Sequence, residues 1–259
     1  MAANRTNAVH KVRLHRIKRF FGTVAGLTLI YFAAVTGYSL ANSSLFDLVE
    51  IAVAGNVTVS REEIVALSGI RIGTNLMNVS RLAAAESIRT QPYIKEAEVA
   101  RIFPNRLEIR VTERVPLAII SYDERYLVLD ENGYCLTEIG LATAESWVLP
   151  VIRSSSESIR ILPGERSADK GVLAALSLIQ QLDPLFMENI QSFEAPSAER
   201  VAVINTDGLR VLFGQPEDLD RKLQNYEELL LKNAEMCNAD TLHYVDLRYD
   251  TQITLNWKR

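Results

Sequence analysis

Ile94-Lys95-Glu96-Ala97-Glu98-Val99-Ala100-Arg101-Ile102-Phe103-Pro104-Asn105-Arg106-Leu107-Glu108-Ile109-Arg110-Val111-Thr112-Glu113 reads as two β-strands, Ile94–Ile102 and Arg106–Glu113, joined at Phe103-Pro104-Asn105. In the second strand Leu107, Ile109 and Val111 alternate with Glu108, Arg110 and Thr112, the two-residue period of a strand with one face inward. Working toward the N-terminus, Pro92 stops a helix that Ser80 starts, with Leu82, Ala85 and Ile88 at helical spacing. Before it, Gly73 marks a loop and Gly69 ends a shorter helix carrying Ile64, Val65 and Leu67. That helix opens on Ser60-Arg61-Glu62-Glu63, a capping box in which hydroxyl and carboxylate each satisfy an orphan amide. Leu48–Ala54 reads as a strand, with Val49, Ile51 and Val53 on one face and Gly55-Asn56 as its end. The order is strand, helix, helix, strand, strand.

Upstream of this unit, Met1–Arg19 holds six basic side chains, and no acidic residue precedes Asp47. From Phe20 to Phe46 no residue is charged. A helix rises about 1.5 Å per residue, so about 20 apolar residues match a hydrocarbon core about 30 Å thick. Inside lipid such a helix satisfies its own backbone polar groups. Residues 20–41 therefore read as one membrane-spanning helix, with a cytoplasmic basic head at 1–19 by the positive-inside rule and the remainder exported. The rival reading is a cleaved signal peptide, for which Ser39-Leu40-Ala41 is a passable site; against it, signal h-regions run only about 7–15 residues. Gly22 and Gly26, like Ala33 and Gly37, are four residues apart near one helix face, where small residues admit another helix. Glycine is common in membrane helices in any case.

Beyond the head the charge reverses: the other 22 Lys and Arg stand against all 32 Asp and Glu. An acidic body does not attract phosphate backbones, which excludes nucleic acid as its partner. The basic head suits anionic lipid headgroups. Cys135 and Cys237 would lie in an oxidising compartment, but the sequence leaves their pairing open, and a chain so poor in cysteine is no disulfide scaffold.

Toward the C-terminus, residues 116–259 read mostly as strands. Leu117–Ser121 and Tyr126–Leu129 come first; Asp130-Glu131-Asn132-Gly133 turns the chain back into Tyr134–Glu138. A helix at Asp169–Leu182 carries the stripe Val172, Leu173, Leu176 and Ile179. Ile190–Glu194, Val201–Asn205 and Leu209–Phe213 follow as strands, then a helix at Glu217–Asn233 and final strands at Thr241–Leu247 and Thr251–Trp257.

Catalytic signals are missing. There is no glycine-rich phosphate loop, nucleophile elbow or zinc-type histidine pair. His10 and His15 lie in the head, and His243 stands alone on a strand as a surface or packing residue. Ser167-Ala168-Asp169-Lys170 fits the S-x-x-K of penicillin-binding enzymes, but the partner motifs are absent, and N-capping accounts for Ser167. No catalytic residue, cofactor or metal site is expected. What remains is a surface for binding. Thr251, Ile253, Leu255 and Trp257 share one face of a strand without charge or proline. At a sheet edge such a strand accepts a foreign strand; elsewhere it is an ordinary strand with no partner.

Two phrases carry a resemblance. Val53-Ala54-Gly55-Asn56-Val57-Thr58-Val59-Ser60, and Phe103 through Pro116, in this order of elements, resemble a POTRA domain. With the basic head and single anchor before it, the chain resembles the FtsQ/DivIB family of bacterial cell-division proteins. Tyr126 through Gly133 resembles that family's opening hairpin, and Tyr244-Val245-Asp246-Leu247-Arg248-Tyr249-Asp250 its signature near the C-terminus. The resemblance spans nearly the whole chain and is vague only across Thr137–Ile190.

The resemblance implies an α+β fold: a single N-terminal transmembrane helix, a β-α-α-β-β POTRA domain at 45–115, and a mostly antiparallel β-domain with flanking helices at 116–259. It implies a non-enzymatic scaffold in the inner membrane, concentrated at the septum with its C-terminal domain periplasmic. FtsB and FtsL would bind the β-domain, and other division proteins the POTRA domain and anchor, with control of septal peptidoglycan synthesis as the outcome. Tyr249 would contact FtsB, Asp250, Thr251, Ile253 and Leu255 would lie along the strand that pairs with it, and Trp257 would face it. Arg200 is the nearest match to a further contributing arginine. By parity with Val245 and Leu247, Tyr249 is a core aromatic; by its place at a strand end beside Asp250, it belongs to a rim. POTRA domains also occur in series ahead of outer-membrane assembly barrels, so the alternative is an exported assembly factor for outer-membrane proteins.

Overall fold

The computed structural model describes residues 3–122, 124–154, 161–233, 238–249 and 253–258. They form two compact units, and the division runs through the first sheet. One unit takes Met1–Ala54, Glu62–Ala85 and Glu98–Arg110; the other takes Gly55–Arg61, Glu86–Ala97 and Val111–Arg259.

The chain opens with α1 (Ala3–Ala41). Its segment Gly22–Ala41 has 20 residues, a mean hydropathy of 1.6 and no buried share, so it is long and apolar enough to cross a membrane. One apolar helix near the N-terminus fits a single-pass membrane protein. Next come β1 (Glu50–Ala54), α2 (Arg61–Ser68), α3 (Arg81–Ile88), β2 (Ile94–Ile102) and β3 (Arg106–Glu113), the order read from the sequence. The three strands form a sheet in the order β1-β3-β2, with β1 parallel to β3 and Ile51 opposite Leu107.

The alternation in β3 holds: Leu107, Ile109 and Val111 are buried. Two expected core positions do not hold. Val49 is exposed and Leu48 is buried in its stead. The strand begins only at Glu50, and Leu48 is still loop, its amide bonded to the Thr74 carbonyl, so the two-residue period does not reach back to it. Leu82 is also exposed, while Ala84, Ala85 and Ile88 are buried. At about 100° per residue, Leu82 falls more than a quarter-turn from the face those three share.

The second unit is built on a nine-stranded mixed sheet with flanking helices. Its elements are β4 (Pro116–Tyr122), β5 (Arg125–Asp130), β6 (Cys135–Ile139), α4 (Leu141–Ser146), β7 (Val151–Arg153), α5 (Lys170–Gln181), α6 (Pro184–Met187), β8 (Ile190–Glu194), β9 (Ala202–Asn205), β10 (Arg210–Leu212), α7 (Leu219–Asn233), β11 (Leu242–Asp246) and β12 (Thr254–Trp257). The strand order is β12-β11-β10-β9-β8-β7-β4-β5-β6. Five ladders are antiparallel. Three are parallel: β4 with β7, β7 with β8, and β10 with β11. The expected antiparallel majority stands, with parallel joints where α4, α5, α6 and α7 connect the strands.

Val172, Leu176 and Ile179 of α5 join one core with Phe193, Val203, Val211, Phe213, Tyr226 and Val245. The α5 cap is Asp169, whose Oδ1 accepts from the Val172 amide at 3.0 Å, not Ser167. Ser167 lies two residues earlier, buried, and its hydroxyl accepts from the Asp169 amide. Its oxygen is therefore engaged in the backbone, and the exposed Lys170 belongs to the first turn of the helix. Cys135 is a free, buried thiol whose pKa burial pushes up to about 11. Cys237 lies outside the described residues.

Candidate partner-binding edge

The sheet end formed by β10, β11 and β12 carries the expected binding residues. Among the described residues, β12 has β11 as its single hydrogen-bonded neighbour, so it is an edge strand. It pairs antiparallel, with Thr254 opposite Asp246, Leu255 opposite Val245, Asn256 opposite Tyr244 and Trp257 opposite Leu242, after a bulge between Leu242 and Tyr244. His243 sits at that bulge, exposed.

The hydrogen-bond phase of this pair follows from one bond. Lys258 N donates to Thr241 O at 2.9 Å, so those two residues form a hydrogen-bonded pair. In an antiparallel ladder such pairs alternate with non-bonded ones, so the N–H and C=O of Trp257 point away from β11. By the same alternation along β12, the amide and carbonyl of Leu255 point outward too. No charge or proline blunts this edge between Thr254 and Trp257.

The side chains divide differently from the main chain. Ile253 and Leu255 are half-buried and pack against the core of their own sheet. Trp257 is 47% exposed and Tyr249 64% exposed. Tyr249 is thus a rim residue, although its parity also allowed a core aromatic. Asp250 and Thr251 lie outside the described residues.

Arg248, which the sequence reading passed over, organises this rim. It stands two residues after Asp246, past the end of β11, where the chain folds back onto that carboxylate. Its Nε donates to Asp246 Oδ1 at 2.9 Å and its Nη2 to Oδ2 at 2.7 Å, while its amide also donates to Oδ1. The guanidinium carbon sits 5.7 Å from the centre of the Tyr249 ring. Its stem packs on Gly214, where an added Cβ would come within 3.0 Å of Arg248 Cγ. Arg248, Tyr249, Glu199 and Gly214 line one polar cleft. Arg200 is exposed at the end of the 3-10 turn Ala198–Arg200, next to Glu199. The fold thus brings the turn bearing Arg200, the Arg248–Tyr249 rim and the β12 edge to one end of the sheet. The stripe Gly22, Gly26, Ala33 and Gly37 stays on α1, solvent-exposed, with space around each of its glycines.

Burial raises the pKa of Asp246, but the hydrogen bonds from Arg248 and its positive charge outweigh burial and hold the carboxyl below its ordinary 3.8. The same pair raises Arg248. A carboxyl lowered on folding contributes stability that is fully present above 3.8 and is lost as pH falls through the folded value. Denaturant midpoints are therefore expected to drop on acidification below that point, and Asp246→Asn is expected to flatten this part of the profile.

The chain matches the family described as "POTRA domain, FtsQ-type" over residues 46–114 and the one described as "Cell division protein FtsQ/DivIB, C-terminal" over residues 118–248. It is 27% identical over 247 residues to the cell division protein FtsQ of Geotalea daltonii, covering 92% of this chain and 86% of that one. It is 34% identical over 182 residues to FtsQ of Syntrophotalea carbinolica, covering 69% of this chain and 63% of that one. With the cell division protein DivIB of Clostridium tetani it shares 23% identity over 208 residues, covering 75% of this chain and 73% of that one.

Proposed function

Because this chain belongs to the FtsQ/DivIB family of cell division proteins, a family of non-enzymatic scaffolds, we propose that it works by lending the β12 edge to a strand of FtsB. The observation that carries the reading is an edge strand with outward main-chain groups at Leu255 and Trp257, flanked by the exposed rings of Tyr249 and Trp257. Backbone bonds along the added strand supply affinity, and the two aromatic anchors supply specificity. Ile253 and Leu255 support the edge from beneath, since they lean on the domain's own core. Asp250 and Thr251 are further contacts to FtsB in this reading, and the exposed Arg200 offers charge to an acidic partner segment. FtsL joins through FtsB at the same domain.

In this reading the basic head stays cytoplasmic and the chain beyond α1 is periplasmic. The anchor and the POTRA domain, residues 45–115, bring the protein to the septum and contact other division proteins. The small stripe Gly22, Gly26, Ala33 and Gly37 serves as a helix contact within the membrane. Holding FtsB and FtsL through the β-domain, residues 116–259, then regulates septal peptidoglycan synthesis.

The test is the affinity of the full chain for FtsB. Truncating a hot-spot aromatic removes about 2 kcal/mol or more, which is a roughly thirtyfold rise in Kd. Tyr249→Ala and Trp257→Ala are each expected to show that loss with unchanged thermal stability. Wild-type affinity in both would reject the anchor assignment.

A further inference from the structure

The exit of α1 is tied down rather than hinged. Its apolar segment of 20 residues ends at Ala41, and at about 1.5 Å per residue it matches the hydrocarbon core, which therefore ends near that residue. Tyr38, one turn earlier, is exposed where interfacial aromatic belts lie. Beyond the helix, Asn75 Nδ2 donates to the carbonyls of Ala41 and Ser43 at 3.1 and 3.4 Å. Ser44–Phe46 winds into a 3-10 turn. Leu48 N then bonds Thr74 O, and Val49 N bonds Asn105 O, both at 2.9 Å. The Phe46 ring meets Phe103 edge-on, with centroids 6.1 Å apart.

These contacts hold the β2–β3 turn, Phe103-Pro104-Asn105, beside the helix exit. Five extended residues reach at most about 18 Å, and the 3-10 turn shortens the path from Ala41 to Phe46 further. The headgroup zone on each face of a bilayer is about 5–8 Å thick. On this tip Leu45 is 55% exposed and Phe103 58% exposed, while Phe46, next to Leu45 in the chain and edge-on to Phe103, is half-buried. A single exposed apolar side chain needs no explanation, but a group gathered at one spot does. Covalent continuity with a membrane helix supplies what covers it.

We infer that Leu45, Phe46 and Phe103 form an apolar foot seated in the headgroup zone of the bilayer that α1 crosses. The foot fixes the first unit against the membrane surface and so sets the direction in which the chain leaves it. It rests on α1 remaining in the bilayer as an anchor.

The experiment places the full chain in vesicles containing lipids brominated on the upper acyl chain. Trp147 and Trp257 give the wild-type background, and Phe103→Trp adds one emitter at the foot. Its emission is expected to be quenched by the brominated lipid to a degree comparable with that of Tyr38→Trp, which reports on the anchor itself. Quenching of Tyr38→Trp without quenching of Phe103→Trp would overturn the foot while leaving the anchor in place, as when a second protein covers the patch. Absence of quenching at both positions would overturn the anchor, and the foot with it.

Discussion

Asp130→Ala is expected to cost about 4 kcal/mol of stability, within the range of about 3–5 for breaking one side of a buried ion pair. Asp130 is 1% exposed and serves three donors. Its Oδ2 lies 2.6 Å from Arg114 Nη1, and its Oδ1 accepts from the amides of Asn132 and Tyr134 at 2.9 and 2.8 Å. Removing the carboxylate leaves the Arg114 guanidinium, stacked 3.7 Å over the Tyr134 ring, as an uncompensated charge. It also orphans two amides in the turn that sets the register of β5 and β6. Asp130→Asn keeps an acceptor and is expected to lose less. Urea midpoints of the two variants in one detergent or nanodisc preparation check the order, and equal losses would mean that the retained acceptor is immaterial and the charge carries the whole effect.

Gly55→Ala is the second large effect, on the order of 3 kcal/mol, from about 1–3 for a side chain at positive φ and about 1–3 for a forced main-chain shift. Gly55 has φ +87, and a Cβ there would collide with the Val111 carbonyl, whose carbon is 3.3 Å away. Carbonyl and loop cannot simply separate. Glu113, two residues on, accepts from the amides of Val57, Thr58 and Val59 at 2.9, 2.7 and 3.0 Å. Burial raises the Glu113 pKa, but these bonds outweigh it and hold the carboxyl below its ordinary 4.5. An alanine would push the loop off the carboxylate, so Gly55→Ala is expected to lower the melting temperature and to return Glu113 toward that ordinary value. A melting temperature equal to wild type would contradict the close approach.

The legible parts of the sequence were those with a repeat. The alternation Leu107, Ile109, Val111 and the uncharged run through α1 each specify an element without help from the rest of the fold. The same logic overreached at Val49, where the strand starts later than its apolar pattern suggests, and at Leu82, which sits in α3 but off its buried face. It found nothing at β7, which at three residues is too short to show a period, although it sits centrally between β4 and β8. Two acceptors within three residues compete for the α5 cap, and the expected cap Ser167 gives way to Asp169 because the helix starts at Lys170.

At the proposed binding edge, composition exposed the strand but not its orientation. The face shared by Ile253 and Leu255 packs on the core of its own sheet, which alternation alone does not reveal. The phase of main-chain bonds, which decides what the edge offers, is set by the β11 pairing and leaves no trace in residue type. Arg248 was overlooked because an Asp-x-Arg pair looks like surface charge until Tyr249 is seen beside the guanidinium.

Amide exchange of the full chain, alone and saturated with FtsB, tests the central claim most directly. The Leu255 and Trp257 amides are predicted to exchange rapidly in the isolated protein and to become protected in the complex, while the inward Asn256 amide changes little. Rapid exchange at both outward amides under saturation would contradict strand addition at β12.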